Sequence, residues 1–357
     1  MPSSLPRRRA RTGGLCAAAA VLTFSAASIA AQPAAAPVTL KFAHFLPSTG
    51  NFQKHIAEPW CAAIEKDSGG RLKCQIYPSL QLGGTPAQIP DQVKNAVADI
   101  GWTSPSFATG RFPRTEALEL PFSLPPGGLA GSRAMWEYYQ KHAQEDYKDF
   151  KVLAIFSASN VVISTASKPV LTVDGFKGLK LRSPSRFAAL LIGALGGTPV
   201  NLPVAQITES IAKGVIDGAM APWEILPTTK VDEVTKYHME GLPDQPGFTQ
   251  TPMAILMNKS RYEGLPADLK AVIDRHSGAA LSDLAGRVWD RGNDAARQKM
   301  TAQGNKVLVI KPEDYAAMKK AAAGVEAEWI QQATAKGLDG RRLAADVHAI
   351  GTRHLGK

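Results

Sequence analysis

Arg182 is the side chain whose type and setting most suggest chemistry. It ends the run Gly178-Leu179-Lys180-Leu181-Arg182-Ser183-Pro184, which reads as a short apolar strand stopped by its proline. A guanidinium there is a permanently charged fork, able to grip a carboxylate with two parallel hydrogen bonds. Further along, Gly214-Val215-Ile216-Asp217-Gly218 and Ala221-Pro222-Trp223-Glu224 form a second constellation. Together these residues suit the capture of an organic acid with no reaction performed on it.

No residue set for bond making accompanies them. The chain has no Gly-x-Ser-x-Gly elbow, no His-Glu-x-x-His zinc motif and no glycine cluster leading to a P-loop lysine. His44, His55, His142, His238, His276, His348 and His354 show no paired spacing with carboxylates. These absences argue against an enzyme, and neither a cofactor nor a metal is expected. Lys and Arg are scattered and not interleaved with aromatics, so nucleic acid is not an expected partner.

The elements that must position Arg182 lie behind an address label. Arg7, Arg8, Arg9 and Arg11 precede an uncharged stretch from Leu15 to Ala27, with small residues at Ser28 and Ala30. That pattern predicts a cleavable signal peptide over residues 1–30 and an exported, periplasmic protein. Cys16 sits at the start of the apolar stretch, whereas an acylated cysteine should follow it, and so is a poor lipoprotein site. Cleavage would remove four arginines and no acids, taking the formal charge from +10 to +6 (37 Lys and Arg against 31 Asp and Glu). A modest positive surplus suits an anionic ligand. The remaining length of roughly 325 residues exceeds one ordinary core, so two lobes are expected. Cys61 and Cys74, on a predicted helix and the strand after it, are expected to form a disulfide.

Val38–Phe42, Arg71–Tyr77 and Ala98–Trp102 read as strands, with helical stretches at Asn51–Lys66 and after Gly83-Gly84. Strand, helix, strand, helix, strand is the layout of a parallel sheet flanked by helices, where ligands sit beyond the carboxyl ends of the strands. Lys177–Arg182, Ala219–Met220 and Lys236–Met239 are expected in a second lobe, and Thr251–Asn258 back in the first. Pro266–Gln303 reads as one long helical tract with Gly278, Gly286 and Gly292 as bend points, followed by a strand at Lys306–Ile310. The expected division is residues 37–158 with 248–288, then 159–247 with 289–330, then a helical tail over 331–357. No internal repeat is evident.

Six motifs in order carry a family resemblance: Lys41-Phe42-Ala43-His44, Tyr77-Pro78-Ser79-Leu80-Gln81-Leu82-Gly83-Gly84, Glu119-Leu120-Pro121-Phe122, the Arg182 strand, Gly214–Gly218, and Leu265-Pro266-Ala267-Asp268-Leu269-Lys270. The chain resembles the extracytoplasmic solute receptors of tripartite, ATP-independent periplasmic (TRAP) transporters. The resemblance implies a two-lobed α/β fold of the periplasmic-binding-protein type, with crossover segments and a long bent helix linking the lobes. It also implies delivery of ligand to a small and a large membrane subunit, and a monomer is the expected state of the receptor. A binding protein of an ABC importer, or a sensor, is the alternative class.

In the resembled family the arginine of the Leu-Lys-Leu-Arg strand pairs with the ligand carboxylate, a role that transfers to Arg182. Val162 stands where sialic acid receptors place a second arginine, and Ala221 where they place an asparagine. Phe45, Trp102 and Trp223, with Thr103 and Ser104 behind Trp102, are expected to face the cleft. Aromatics around one arginine favour a monocarboxylate with an apolar or aromatic body, an oxo or hydroxy acid among them. Glu224, Asn160, Phe248 and Arg186 are further candidates for ligand contact.

Overall fold

A computed structural model describes residues 36–356, the side chain of Asn160 excepted. The leader expected over 1–30, with Cys16, lies outside the described residues. Val38–Ala43 forms β1, with Leu40 and Phe42 buried. One π turn leads into α1 (Glu58–Asp67), and β2 (Leu72–Tyr77) returns parallel to β1 with Val38 opposite Leu72. Then α2 (Ile89–Lys94) carries the chain to β3 (Ile100–Thr103), on the other side of β1. Cys61 of α1 is disulfide-bonded to Cys74 of β2, their Cα atoms 5.7 Å apart. Closing a loop of that size stabilises the fold by about 3 kcal/mol.

After α3 (Gly128–Tyr138), β4 (Phe150–Asn160) makes the far edge of this sheet. Only Val161 separates it from β5 (Val162–Thr165), which belongs to a second sheet. Ser159 turns the chain there with φ of 72°, a left-handed value uncommon outside glycine. The second sheet continues through β6 (Lys180–Ser183), α4 (Arg186–Ala194), β7 (Thr198–Asn201), α5 (Ile207–Ala212), β8 (Gly218–Ala221), α6 (Ile225–Thr228) and β9 (Tyr237–Glu240). β10 (Gln250–Asn258) then inserts between β3 and β4, antiparallel to both.

Two short helices follow, α7 (Lys259–Glu263) and α8 (Ala267–Arg275), before the long α9 (Ala279–Ala302). β11 (Lys306–Val309) pairs with β9, and α10 (Pro312–Ala321), α11 (Ala323–Ala335) and α12 (Gly340–His354) end the described chain. The strand orders are β2-β1-β3-β10-β4 and β11-β9-β5-β8-β6-β7. The chain thus passes between sheets at β4–β5, at β9–β10 and along α9, which gives two lobes. The second core gathers Phe176, Leu181, Phe248 and Tyr315. Trp329, Val347 and Ile350 of α11 and α12 join Phe112, Tyr138 and Ile155 of the first lobe.

Two details differ from the sequence reading. The tract Pro266–Gln303 is two helices, because Gly278 at φ 72° breaks it, whereas Gly286 and Gly292 stay inside α9. The strand β7 was hidden by Pro199, which is tolerated because β7 lies at the sheet edge.

Candidate functional site

Arg182 sits on β6, which lies between β8 and β7. The Gly214–Gly218 motif builds that position. Asp217 accepts a hydrogen bond from the Lys180 N–H at 2.7 Å and donates its own N–H to the Lys180 carbonyl at 2.8 Å. Gly218 lies so close to β5 that a Cβ on it would come within 2.1 Å of the Ser164 carbonyl oxygen. The start of β6 is therefore pinned two residues before the arginine.

The Arg182 side chain is only 4% exposed. Its Nε donates to the Leu202 carbonyl and its Nη1 to the Met220 carbonyl, each at 3.1 Å. Burial pulls its pKa down to about 10, with no carboxylate among the described residues acting against that fall. It stays charged at neutral pH. A desolvated cation held by neutral carbonyls is an unfinished ion pair, and the missing partner is an anion.

That guanidinium opens on a cavity of about 270 Å³ between the lobes. The first lobe contributes Phe45, Thr85, Pro86, Ser106, Phe107 and Thr109. The second contributes Arg182, Pro184, Asn201, Leu202, Pro203 and Val204, with Ser185 and Arg186 at the start of α4. Phe45 stacks on Trp102 with centroids 4.7 Å apart, and Phe107 stands edge-on to Phe45 at 5.6 Å. Trp102 is itself fully buried, sandwiched against Phe52 at 3.7 Å, so it backs the wall and does not line it.

Of the residues singled out from sequence, Arg182 and Phe45 share this cavity, and Arg186 joins them. Arg186 is tied to Glu116 at 3.6 Å and hydrogen-bonded to Gln332 of α11. Thr103 donates to the Pro86 carbonyl at 2.7 Å and Ser104 to the Pro252 carbonyl at 2.8 Å, so both hydroxyls hold backbone. Trp223 turns toward β9, its Nε1 donating to Glu240 at 3.1 Å, and borders a separate groove with Val162, Asn293 and Arg297. Ala221 is buried opposite Val162. Phe248 packs edge-on to Phe122 in the second core. Asn160 ends β4 opposite Gln250, its side chain lying outside the described residues.

Glu224 caps its own surroundings. Its N–H donates to Asn293 at 3.0 Å and one carboxyl oxygen accepts from Thr228 at 3.0 Å. Burial pushes its pKa up to about 7.

Sequence reasoning missed Phe107, Ser106, Thr109 and the Asn201–Val204 wall, together with Glu119 behind them. Phe107 and Ser106 follow β3 directly, beyond the carboxyl end where such sites form, which was the available signal. Glu119 is 3% exposed, and desolvation raises its pKa to about 7 against the hydroxyls of Ser106 and Ser185 beside it.

A protein-family model described as bacterial extracellular solute-binding protein, family 7 (DctP), matches residues 42–332. A TRAP solute binding protein from Rhodoferax ferrireducens T118, solved with copurified benzoate, is 40% identical with a TM-score of 0.85, over 89% of this chain and 98% of that one. A marine metagenome TRAP solute binding protein, described as specific for aromatic acid ligands and co-crystallised with 3-hydroxybenzoate, is 39% identical with a TM-score of 0.87. That match covers 90% of this chain and 100% of the other. The C4-dicarboxylate-binding periplasmic protein DctP of Rhodobacter capsulatus is 24% identical over 277 residues, 76% of this chain and 79% of that protein. With the two-lobed fold and its interlobe cavity, these matches fix the family: the chain belongs to the family 7 bacterial extracellular solute-binding proteins, as a DctP-type TRAP solute receptor.

Proposed function

We propose that this receptor captures an aromatic monocarboxylate in the interlobe cavity, with Arg182 as the anion anchor and Phe45 and Phe107 as the walls for the ring. The observation that carries this reading is a buried guanidinium, bonded among the described residues to the Leu202 and Met220 carbonyls alone, at the face of a small and largely apolar cavity. About 270 Å³ suits a single-ring acid, lying just under the common size range of ligand pockets. The aromatic acids bound by relatives at 39% and 40% identity support the same ligand class. Lobe closure around the acid, followed by docking on the small and large TRAP membrane subunits after export to the periplasm by the leader, completes the proposed cycle.

Titration calorimetry against benzoate, 3-hydroxybenzoate and succinate tests it. The aromatic acids are expected to bind, and Arg182→Ala to weaken them by more than tenfold while the circular dichroism spectrum is unchanged. Succinate as the tightest of the three, or unchanged affinity in the variant, would overturn the reading.

A further inference from the structure

The first turn of α4 belongs to the second lobe by connection and to the first by contact. Leu191 and Ile192 pack in the second core, whereas Phe187 is buried with Phe112 and Leu118 in the first. Arg186 and Phe187 close a cell of about 10 Å³ whose other walls, Glu116, Glu119 and Ser106 among them, come from the first lobe. Arg186 pairs with Glu116 at 3.6 Å, approaches Glu328 of α11 at 4.0 Å and hydrogen-bonds Gln332. Glu116 is held for that role from its own lobe, accepting from the Gly110 N–H at 3.0 Å.

Beside this pair, Glu119 is buried between one hydroxyl from each lobe, Ser106 after β3 and Ser185 at the start of α4. Ser185 accepts from the Ala188 N–H at 3.3 Å, and its own proton is left for the carboxyl. Only Ser183 and Pro184 separate this turn from Arg182. Opening the cleft would lift Ser185, Arg186 and Phe187 off the cell, wet Glu119 and part Arg186 from Glu116.

We propose that the first turn of α4 is a latch for the closed form, held by Arg186 on Glu116 and by Ser185 on a protonated Glu119, so that ligand capture draws in a proton. The inference rests on lobe closure around an aromatic acid and adds a pH dependence to it. The charged groups facing Glu119 are Glu116 on its own turn and Arg186 on α4, while Ser106 and Pro252 bring no charge. Desolvation is the largest influence and raises the Glu119 pKa to about 7 with the lobes together. Opening returns it toward the ordinary 4.5. Affinity is therefore highest below about pH 4.5, falls as pH rises through about 7 and is constant above that.

Calorimetry on the full chain with benzoate at pH 6 and pH 8, where the ligand stays ionised, tests the latch. Wild type is expected to bind about tenfold more tightly at pH 6, with buffers of different ionisation enthalpy reporting uptake of about one proton there. Glu119→Gln should bind within about twofold at the two pH values, a profile that a purely structural role would not flatten. Glu116→Gln, outside the ligand cavity, should weaken binding by about threefold at both. Glu224→Gln removes the other buried carboxyl raised to about 7; it should keep the wild-type ratio, and it carries the test if Glu119→Gln does not fold. Equal wild-type affinities, or a ratio lost in Glu224→Gln, would overturn the latch while leaving Arg182 as anchor. If benzoate does not bind, the aromatic-acid reading falls and the latch is decided without ligand. Spin labels on Lys94→Cys of α2 and Lys213→Cys after α5, one exposed site on each lobe, then report the distance between lobes by electron–electron resonance. The population at the closed-form distance should grow from pH 8 to pH 6, and an unchanged distribution would overturn the latch.

Discussion

Arg182 carries its charge where water has been largely removed, and two neutral carbonyls replace part of its hydration. Lysine at this position would keep the charge but lose the planar fork that can hold Leu202, Met220 and a carboxylate together. Arg182→Lys is therefore expected to lose affinity for benzoate by about tenfold or more in the same calorimetric assay. Glu119 illustrates a different residue-scale effect. Burial raises its pKa from 4.5 to about 7, so the folded protein holds a proton that the unfolded chain releases. Its contribution to stability is lost as pH rises from about 4.5 to about 7 and is constant above that. The melting temperature of Glu119→Gln minus that of wild type should therefore grow across this window and then level off. His44 and His238, lowered to about 4 by burial, act in the opposite sense, costing stability as pH falls below 6.5. The difference between variant and wild type isolates Glu119 from them.

Both lobes use one device to pin a strand beside the cleft. Asp99 accepts from the Lys41 N–H at 2.8 Å and returns its own N–H to the Lys41 carbonyl, as Asp217 does with Lys180. No repeat is evident in the sequence because the shared part is little more than an aspartate after a short helix and before a strand. Its meaning appears only when the partner strand is placed. Glycines divide in the same way. In α9, a Cβ at Gly286 would lie 2.7 Å from the Gly128 carbonyl oxygen, so α3 and α9 approach backbone to backbone. Gly286→Ala should destabilise by about 1–3 kcal/mol. Gly193 of α4 has open space around its Cβ position. There the helix propensity of alanine should stabilise by up to about 1 kcal/mol. Urea denaturation of the two variants checks the opposite signs.

The three passages between sheets leave the lobes joined by strands and α9, with the ligand cavity lined from both sides. An acid that touches Arg182 on one lobe and Phe45 on the other gains its full contacts only when the lobes are together. Such a ligand shifts the population toward the closed form by as much as it prefers that form. Small-angle scattering is expected to show a smaller radius of gyration for wild type with saturating benzoate than without it, and no change for Arg182→Ala. At a hundredfold excess over Kd, wild type should also gain about 2.7 kcal/mol of apparent stability. An unchanged radius with a raised melting temperature would mean binding without closure.

Most of the order of strands and helices, β7 and the break at Gly278 apart, and the pairing of Cys61 with Cys74 could be read from local pattern, and that pattern also suggested the anchoring role proposed for Arg182. Periodicity, a stopping proline and an even pair of cysteines act over a few residues, so the chain alone displays them. The composition of the cavity could not be read that way. Trp223, Glu224 and Phe248 have the right chemistry for a ligand wall, yet Glu240, Thr228 with Asn293, and Phe122 claim them. Phe107 and Ser106 come to line one cavity with Arg182 only because β3 and β6, from different sheets, aim their ends at one space. Which side chains share that space is set by long-range packing between the lobes, and no short stretch of sequence encodes it.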